Sequence, residues 1–310
     1  SACLVGSEMC IRDRNVKEII NMKMKKFIAL LTVAGMTATM VVGCGSSSNE
    51  TSDNAADTNT ESSDSSLSGT ITAAGSSALK PLADDAADSF LNDHPDVSIT
   101  IDAGGSGEGL KQVSEGTVDI GNSDVAAEDK LDETAAKELV DHQVCVVTMA
   151  PIVNKDVAEA GVKSLTKEQL ISIFTGKTTN WKDVGGPDED IVLVTRPESS
   201  GTRATFQKYA LDGNEEASNT SMETDDSGVL LTNVKSTNGA IGYVALSYLT
   251  GDAGVETVAI DDVEPTLENT YSGKYPVWTF EHMYTKGEPN EVTKACLLYT
   301  SPSPRDRQKS

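Results

Sequence analysis

Arg196-Pro197-Glu198-Ser199-Ser200-Gly201-Thr202-Arg203-Ala204-Thr205-Phe206 is the stretch from which the rest of the chain can be ordered. It follows an apolar run, residues 191–195, that reads as a buried strand. It leads into residues 204–211, where Phe206, Tyr209 and Ala210 recur at helical spacing. The pattern is strand, short polar loop, helix start. The first N–H groups of a helix have no partner within it, and the hydroxyls of Ser200 and Thr202 stand beside them. Gly201 permits close approach to the backbone, and Arg196 adds a planar donor fork suited to an oxyanion. Together these make an anion cradle. The same residues also fit an ordinary capped helix next to a surface arginine, and the stretch alone leaves both readings open.

The 310 residues, 38% of them hydrophobic, are enough for one or two domains with a real core. A formal charge of -23 argues against nucleic acid or an anionic membrane surface as partner. An anion site in so acidic a chain must act locally, through aimed N–H and O–H dipoles, while surface charge is screened over roughly 8 Å.

Met22-Lys23-Met24-Lys25-Lys26 and the apolar residues 27–42 form the basic and hydrophobic regions of an export signal, residues 22–43. Val41-Val42-Gly43-Cys44-Gly45-Ser46 resembles a bacterial lipoprotein cleavage box, in which Cys44 would carry the lipid (palmitate) anchor. The alternative is a plain secretory signal with a chance cysteine. Residues 44–68, rich in Ser, Asn, Asp and Thr, read as a disordered tether. Residues 1–21 precede the natural start, and 296–310 interrupt a helical pattern at 291–295. Both ends read as non-native adapter read-through, and the natural C-terminal helix is expected to be missing. Cys3, Cys10 and Cys296 fall in these ends and Cys145 stands alone in an apolar strand, so no disulfide framework, metal site or cofactor is expected.

Between the ends, strand, Gly/Ser turn and helix alternate. Residues 70–74 are a strand, Gly75-Ser76-Ser77-Ala78 a break, and 79–91 a helix. Residues 97–101 are a strand, Gly104-Gly105-Ser106-Gly107-Glu108-Gly109 a second break, and 110–115 a helix. Residues 118–120 are a strand ending in the polar turn Gly121-Asn122-Ser123-Asp124. The apolar run 144–154 suits a strand that leaves one domain for another. A helix capped by Thr166 follows over 165–174, then Trp181 in a loop. Asp226-Ser227-Gly228 opens a further helix, and strands are expected at 240–249 and 275–284. This is α/β patterning with loops gathered at strand C-terminal ends, where such sheets bind ligands. The glycine spacing does not match a dinucleotide fingerprint.

These segments, with Phe174-Thr175-Gly176-Lys177, Asn180-Trp181 and Gly239-Ala240-Ile241-Gly242-Tyr243-Val244, resemble in family order the phosphate-binding lipoproteins of bacterial high-affinity phosphate ABC transporters. The resemblance implies a two-lobed α/β fold of the type 2 periplasmic-binding-protein class, with the ligand in the cleft between lobes. Lobe 1 would be residues 69–153 and 245–295, and lobe 2 residues 154–244, with hinges near 151–154 and 244–246. It implies a site of Ser77 and Ala78, Ser106, Asp124, Arg196 (itself held by Asp124), Ser200, Gly201 and Thr202. It implies inorganic phosphate as ligand, permease subunits as partners, a monomer, and a lipid-anchored place on the outer face of the cell membrane.

Asp124 carries the selectivity. At neutral pH phosphate keeps a proton and sulfate keeps none. A carboxylate therefore gains a charge-assisted hydrogen bond from the first and repels the second. Asp124 also suits a turn cap or a salt bridge to Arg196. Other readings are a site for sulfate or molybdate, which bring no proton, and a phosphate sensor or adhesin on the same fold. An enzyme is disfavoured, because His94, His142 and His282 all lie outside the Gly/Ser segments and a nucleophilic serine needs a base.

Overall fold

The computed structural model describes residues 67–217 and 221–300. The expected read-through at 1–21, the signal at 22–43, Cys44, almost all of the tether and residues 301–310 lie outside the described residues.

The chain opens with strand β1 (Gly69–Gly75), whose Ile71 and Ala73 are buried. Helix α1 (Lys80–Asp93) starts on Pro81, where a missing N–H costs nothing, and buries Ala83, Ala86, Ala87 and Phe90 at helical spacing. Strand β2 (Val97–Ala103) leads to helix α2 (Ser106–Glu115), which ends at Gly116 in the left-handed conformation. Then follow β3 (Ile120–Ser123), α3 (Glu133–Lys137), the 16-residue strand β4 (Leu139–Asn154), α4 (Lys155–Glu159) and β5 (Ser164–Leu165). Helix α5 (Lys167–Phe174) carries a capping box, in which the Thr166 hydroxyl accepts from Gln169 N–H and the Gln169 side chain returns to the Thr166 N–H. Strand β6 (Val192–Thr195), helix α6 (Gly201–Tyr209), strand β7 (Ser221–Glu223), helix α7 (Ser227–Ser236) and strand β8 (Ala240–Ala245) complete the middle of the chain. The last elements are β9 (Val255–Thr257), β10 (Ala259–Ile260), α8 (Leu267–Tyr271), β11 (Trp278–Lys286) and α9 (Glu291–Thr300).

One large sheet runs in the order β2-β1-β3-β11-β4-β8-β6-β7, with β9 also on β4; β10 and β5 pair separately. β1 is parallel to β2 and β3, and β6 is parallel to β7 and β8. β11 and β4 run against their neighbours and join these two parallel wings. Residues 139–148 of β4 pair with β11, and residues 149–154 pair with β8 or β9. One strand therefore belongs to both wings. Helices cover both faces. α1 and α9 pack one apolar cluster with β1 and β11, and α5 and α6 pack another around Phe174, Trp181, Phe206 and Tyr243.

Several elements differ from the sequence expectation. The glycines of 104–109 do not break the chain before residue 110; helix α2 already begins at Ser106. A Cβ on Gly109 would lie 2.5 Å from the Ala74 carbonyl oxygen, so this glycine serves close helix–strand packing. The polar turn expected at 121–124 is instead mostly strand β3. Strand β8 ends at Ala245, and residues 246–248 form a short 3-10 turn. β9 and β10 follow residue 245, yet they pair with residues 152–154 and 164–165. Helix α9 continues past Ala295 to Thr300, with Cys296 and Leu297 buried against the β1 cluster. Among the described residues no helix is long and apolar enough to cross a membrane.

Candidate anion site

Three helix N-termini meet where the two wings adjoin, those of α2, α6 and α7, and each begins with a small or hydroxyl residue, Ser106, Gly201 and Ser227. All three lie within the core of the molecule. Each helix start presents N–H groups without helical partners and the positive end of a helix dipole.

Asp124 sits among them, 1% exposed. One carboxylate oxygen accepts the Ser76 hydroxyl and the other accepts the Thr202 hydroxyl at 2.5 Å. The backbone N–H of Asp124 donates to Ser106 Oγ at 3.0 Å. Gly201 completes the contact. A Cβ there would fall 2.1 Å from Ser106 Oγ, so the starts of α2 and α6 touch backbone to side chain. Gly107 N–H donates to the Ser199 carbonyl at 3.0 Å and ties the same two segments. Ser200 caps α6, its hydroxyl accepting from Arg203 N–H at 3.3 Å.

Arg196 is fully buried. One terminal nitrogen donates to the Asp225 carbonyl at 3.0 Å; the other donates to Ser227 Oγ at 3.0 Å and to the Tyr243 carbonyl at 3.4 Å. Its Cζ lies 5.7 Å from the centre of the Tyr243 ring, and Tyr243 stacks on Phe206 with ring centres 4.1 Å apart. The Arg196 Nε has no hydrogen-bond partner. The ion pair between Arg196 and Asp124 that the resemblance implied is absent. The Asp124 oxygens are occupied by hydroxyls and the guanidinium by carbonyls and Ser227.

Of the residues expected from sequence, Ser106, Asp124, Gly201 and Thr202 are in mutual contact, while Ser77 and Arg196 meet at Asp225 and Ser227. Ser76 reaches Asp124, and its oxygen also accepts from Leu79 N–H at 3.1 Å. Ser77 faces the other wing, donating to the Asp225 carbonyl at 3.0 Å and lying 2.8 Å from Ser227 Oγ. Ala78 is buried, its carbonyl accepting from Ser247 Oγ at 3.2 Å.

Sequence reasoning missed Ser76, Asp225, Ser227, Tyr243 and Glu281. Asp225 lies beside the cradle; one carboxyl oxygen has no partner, and burial raises its pKa. Ser227 opens a helix whose start was legible, but nothing in the sequence places it against Arg196. Glu281 is the one acidic residue of the otherwise largely apolar run Val277-Trp278-Thr279-Phe280-Glu281-His282-Met283-Tyr284, a pattern that signals a purpose without naming it. Behind Arg196, the buried Glu216 lies 3.8 Å from Arg203 and faces the Tyr243 hydroxyl; burial pushes its pKa up to about 7. Among the described residues no group of His, Cys, Asp and Glu could hold a metal ion.

Comparison with known proteins agrees with this geometry. A profile of the PBP superfamily domain matches residues 59–301. The chain is 48% identical over 291 residues to the phosphate-binding protein PstS of Bacillus subtilis, covering 93% of this chain and 92% of that protein. It is similar to a crystal structure with bound phosphate from Clostridium perfringens, of a protein assigned to phosphate ABC transport as a substrate-binding protein. The TM-score is 0.68 and the identity 32%, covering 77% of this chain and 96% of that one. An ABC-type phosphate transport receptor from Vibrio cholerae aligns with a TM-score of 0.58 and 27% identity, covering 77% of this chain and 96% of that one.

Proposed function

Because the chain belongs to the PBP superfamily, and within it to the PstS family of phosphate-binding proteins, we propose that it captures inorganic phosphate and delivers it to the permease of an ABC transporter. It is a binding component and not an enzyme.

The observation that carries this reading is Asp124 placed as an acceptor among donors. The Ser76 and Thr202 hydroxyls already point at its oxygens, its own N–H donates to Ser106 Oγ, and Gly201 at the start of α6 lies against both Ser106 and Asp124. A tetrahedral oxyanion offers these donors acceptor oxygens, and a protonated one also offers Asp124 a hydrogen. We assign Ser77, Ala78, Ser106, Asp124, Arg196, Ser200, Gly201 and Thr202 to the anion, Thr202 through its backbone N–H because its hydroxyl, like that of Ser76, is held by Asp124. Sulfate and molybdate bring no such hydrogen, and the carboxylate opposes them.

The site lies between the two wings, and closing them on the ligand assembles its donors. We place one crossing on β4, near residues 149–154. The second crossing is placed after Ile260 rather than at 244–246, because β9 and β10 still pair with residues 152–165. An extracytoplasmic monomer held by lipid on Cys44 and a tether through residue 68 fits a protein that hands its ligand to a membrane permease.

Isothermal titration of the full chain, stripped of bound phosphate, tests the reading. Tight one-to-one binding of phosphate at neutral pH with no heat from sulfate is expected. Equal binding of both anions removes the role of Asp124; binding of neither by a folded sample removes the function.

A further inference from the structure

Glu281 lies in β11 with 1% of its surface exposed, and no donor is aimed at either carboxyl oxygen. It is placed there by an irregularity in the sheet. Opposite Glu281 stands Cys145 of β4, but opposite His282 stands Gln143, so Val144 is an extra residue in the ladder. Such a bulge re-aims side chains. In the antiparallel ladder of β11 with β3 His282 stands opposite Ser123, so the next step sets Glu281 opposite Asp124, whose carboxylate accepts the Ser76 hydroxyl. Ser76 already donates its hydrogen to Asp124 and has none left for Glu281.

The other charged groups on elements packed around β11 are engaged elsewhere. Asp141 of β4 holds His282 at 2.8 Å, Arg203 of α6 donates to the Arg196 carbonyl at 2.7 Å, and Glu108 of α2 accepts from Gln112 at 2.7 Å. An ionised Glu281 would therefore be a buried charge with no donor and a second carboxylate as neighbour. A protonated one has an acceptor waiting.

We propose that Glu281 is the proton donor that completes the anion site. As a neutral carboxylic acid it gives its hydrogen to Asp124, the two acids carry one negative charge between them, and this pair sets the pH range over which the site takes protonated phosphate. The hydrogen of Glu281 satisfies part of Asp124 and leaves lone pairs that accept the P–OH of the ligand. Burial and the Asp124 charge both hold the proton on Glu281 well above the usual carboxylate range. On the alkaline side Glu281 releases that proton to solvent. The site then presents two carboxylates to a dianion, and affinity falls. Glu281 is a positioning residue and tunes Asp124 without needing to touch the ligand.

The inference rests on the phosphate reading, and the test separates the two. Phosphate affinity is measured for the full chain and for Glu281→Gln and Glu281→Leu from neutral pH upward. Glu281→Gln keeps a donor that cannot ionise. The wild type should weaken about tenfold or more as pH rises above neutral, while Glu281→Gln changes much less. Lys130, which donates to the Glu198 carbonyl at 2.6 Å, titrates alike in both and cancels in the comparison. Glu281→Leu, which has no donor, should bind weakly at neutral pH, with Glu281→Gln restoring affinity. Titration of the wild type in buffers of different ionisation heat should show net proton uptake per phosphate bound, growing on the alkaline side where the ligand itself stays a dianion. That readout holds even if a variant fails to fold. No phosphate binding by the wild type at neutral pH removes the functional reading and this inference together. Phosphate binding with no proton uptake, or with the same alkaline loss in Glu281→Gln, overturns this inference alone.

Discussion

Thr202 donates its hydroxyl hydrogen to Asp124 across 2.5 Å, joining the start of α6 to the end of β3. The two residues come from opposite wings of the sheet, so the acceptor and one of its donors meet only when the wings are together. Replacing Asp124 by Asn keeps the shape but removes the charge and one acceptor. Asp124→Asn should weaken phosphate binding less than Arg196→Ala, which removes the buried cation, and should let sulfate bind. Competition titrations with both anions decide this. Full rejection of sulfate by Asp124→Asn would remove the selectivity argument.

Gly201 stands where a Cβ would meet Ser106 Oγ at 2.1 Å and Ser106 Cβ at 2.7 Å. Gly201→Ala must push α6 away from α2 and misalign the donors. Phosphate affinity should fall by about 2–3 kcal/mol, the scale of one charge-assisted hydrogen bond, with the fold retained by circular dichroism. Wild-type affinity in Gly201→Ala would show that the helix starts need not touch.

Glu216 holds its proton up to about pH 7 in the folded state, whereas the unfolded chain releases it in the ordinary carboxylate range. Between these values the folded state binds more protons, so this residue's contribution makes stability fall as pH rises and then levels off above about 7. Glu216→Gln removes that slope. The difference in unfolding free energy between variant and wild type should move by about 2–3 kcal/mol in favour of the variant from pH ~4.5 to pH ~7. Urea denaturation at both ends of the range measures it; a pH-independent difference would mean that Glu216 is charged in the fold.

Trp181 is wholly buried and its indole N–H donates to the Gly239 carbonyl at 2.9 Å. Trp181→Phe leaves a gap and removes one of the two hydrogen bonds that the Gly239 carbonyl accepts (Val192 N–H keeps the other at 3.0 Å), and should cost roughly 2–4 kcal/mol of stability. Phosphate affinity of the folded fraction should stay unchanged, because the indole bonds to the Gly239 carbonyl and to none of the residues assigned to the anion. A matching loss of affinity would mean that the loop before β6 positions the cradle.

Cys44→Ala tests the anchor. Phosphate binding should be intact and the protein should move from the membrane fraction to the soluble one. Retention in the membrane fraction would end the lipoprotein reading.

The alternation of strand, Gly/Ser turn and helix made the α/β class legible, because each element carries its own period and its own start and stop residues. Thr166, Ser200 and Asp226 cap helices as their types and places suggest. Short strands such as β10, two residues long, have no period to read. Adjacent serines at 76 and 77 share one chemistry, and only the exit geometry of β1 decides which of them meets Asp124. The glycines at 104–109 look like a loop because glycine disfavours helices, yet packing against β1 outweighs that preference. Glu281 is the one acidic residue of β11, but the bulge at Val144 that aims it leaves no mark on alternation.

The place of β11 also governs when the molecule can be finished. Among the described residues it is the last strand in chain order, and it lies between β3 and β4 in the middle of the sheet. Until residue 286 is available, both of those strands present unpaired edges, the kind of edge that recruits other chains. The joining contacts, such as His282 with Ser123, span most of the described chain and are slow to form by chance. An emerging chain therefore cannot assemble its anion site piecemeal. The Asp124 neighbourhood, with Glu281 delivered on that final strand, is completed at the end of folding, and a chain that stops short of β11 is left with open edges and without the acid that faces Asp124.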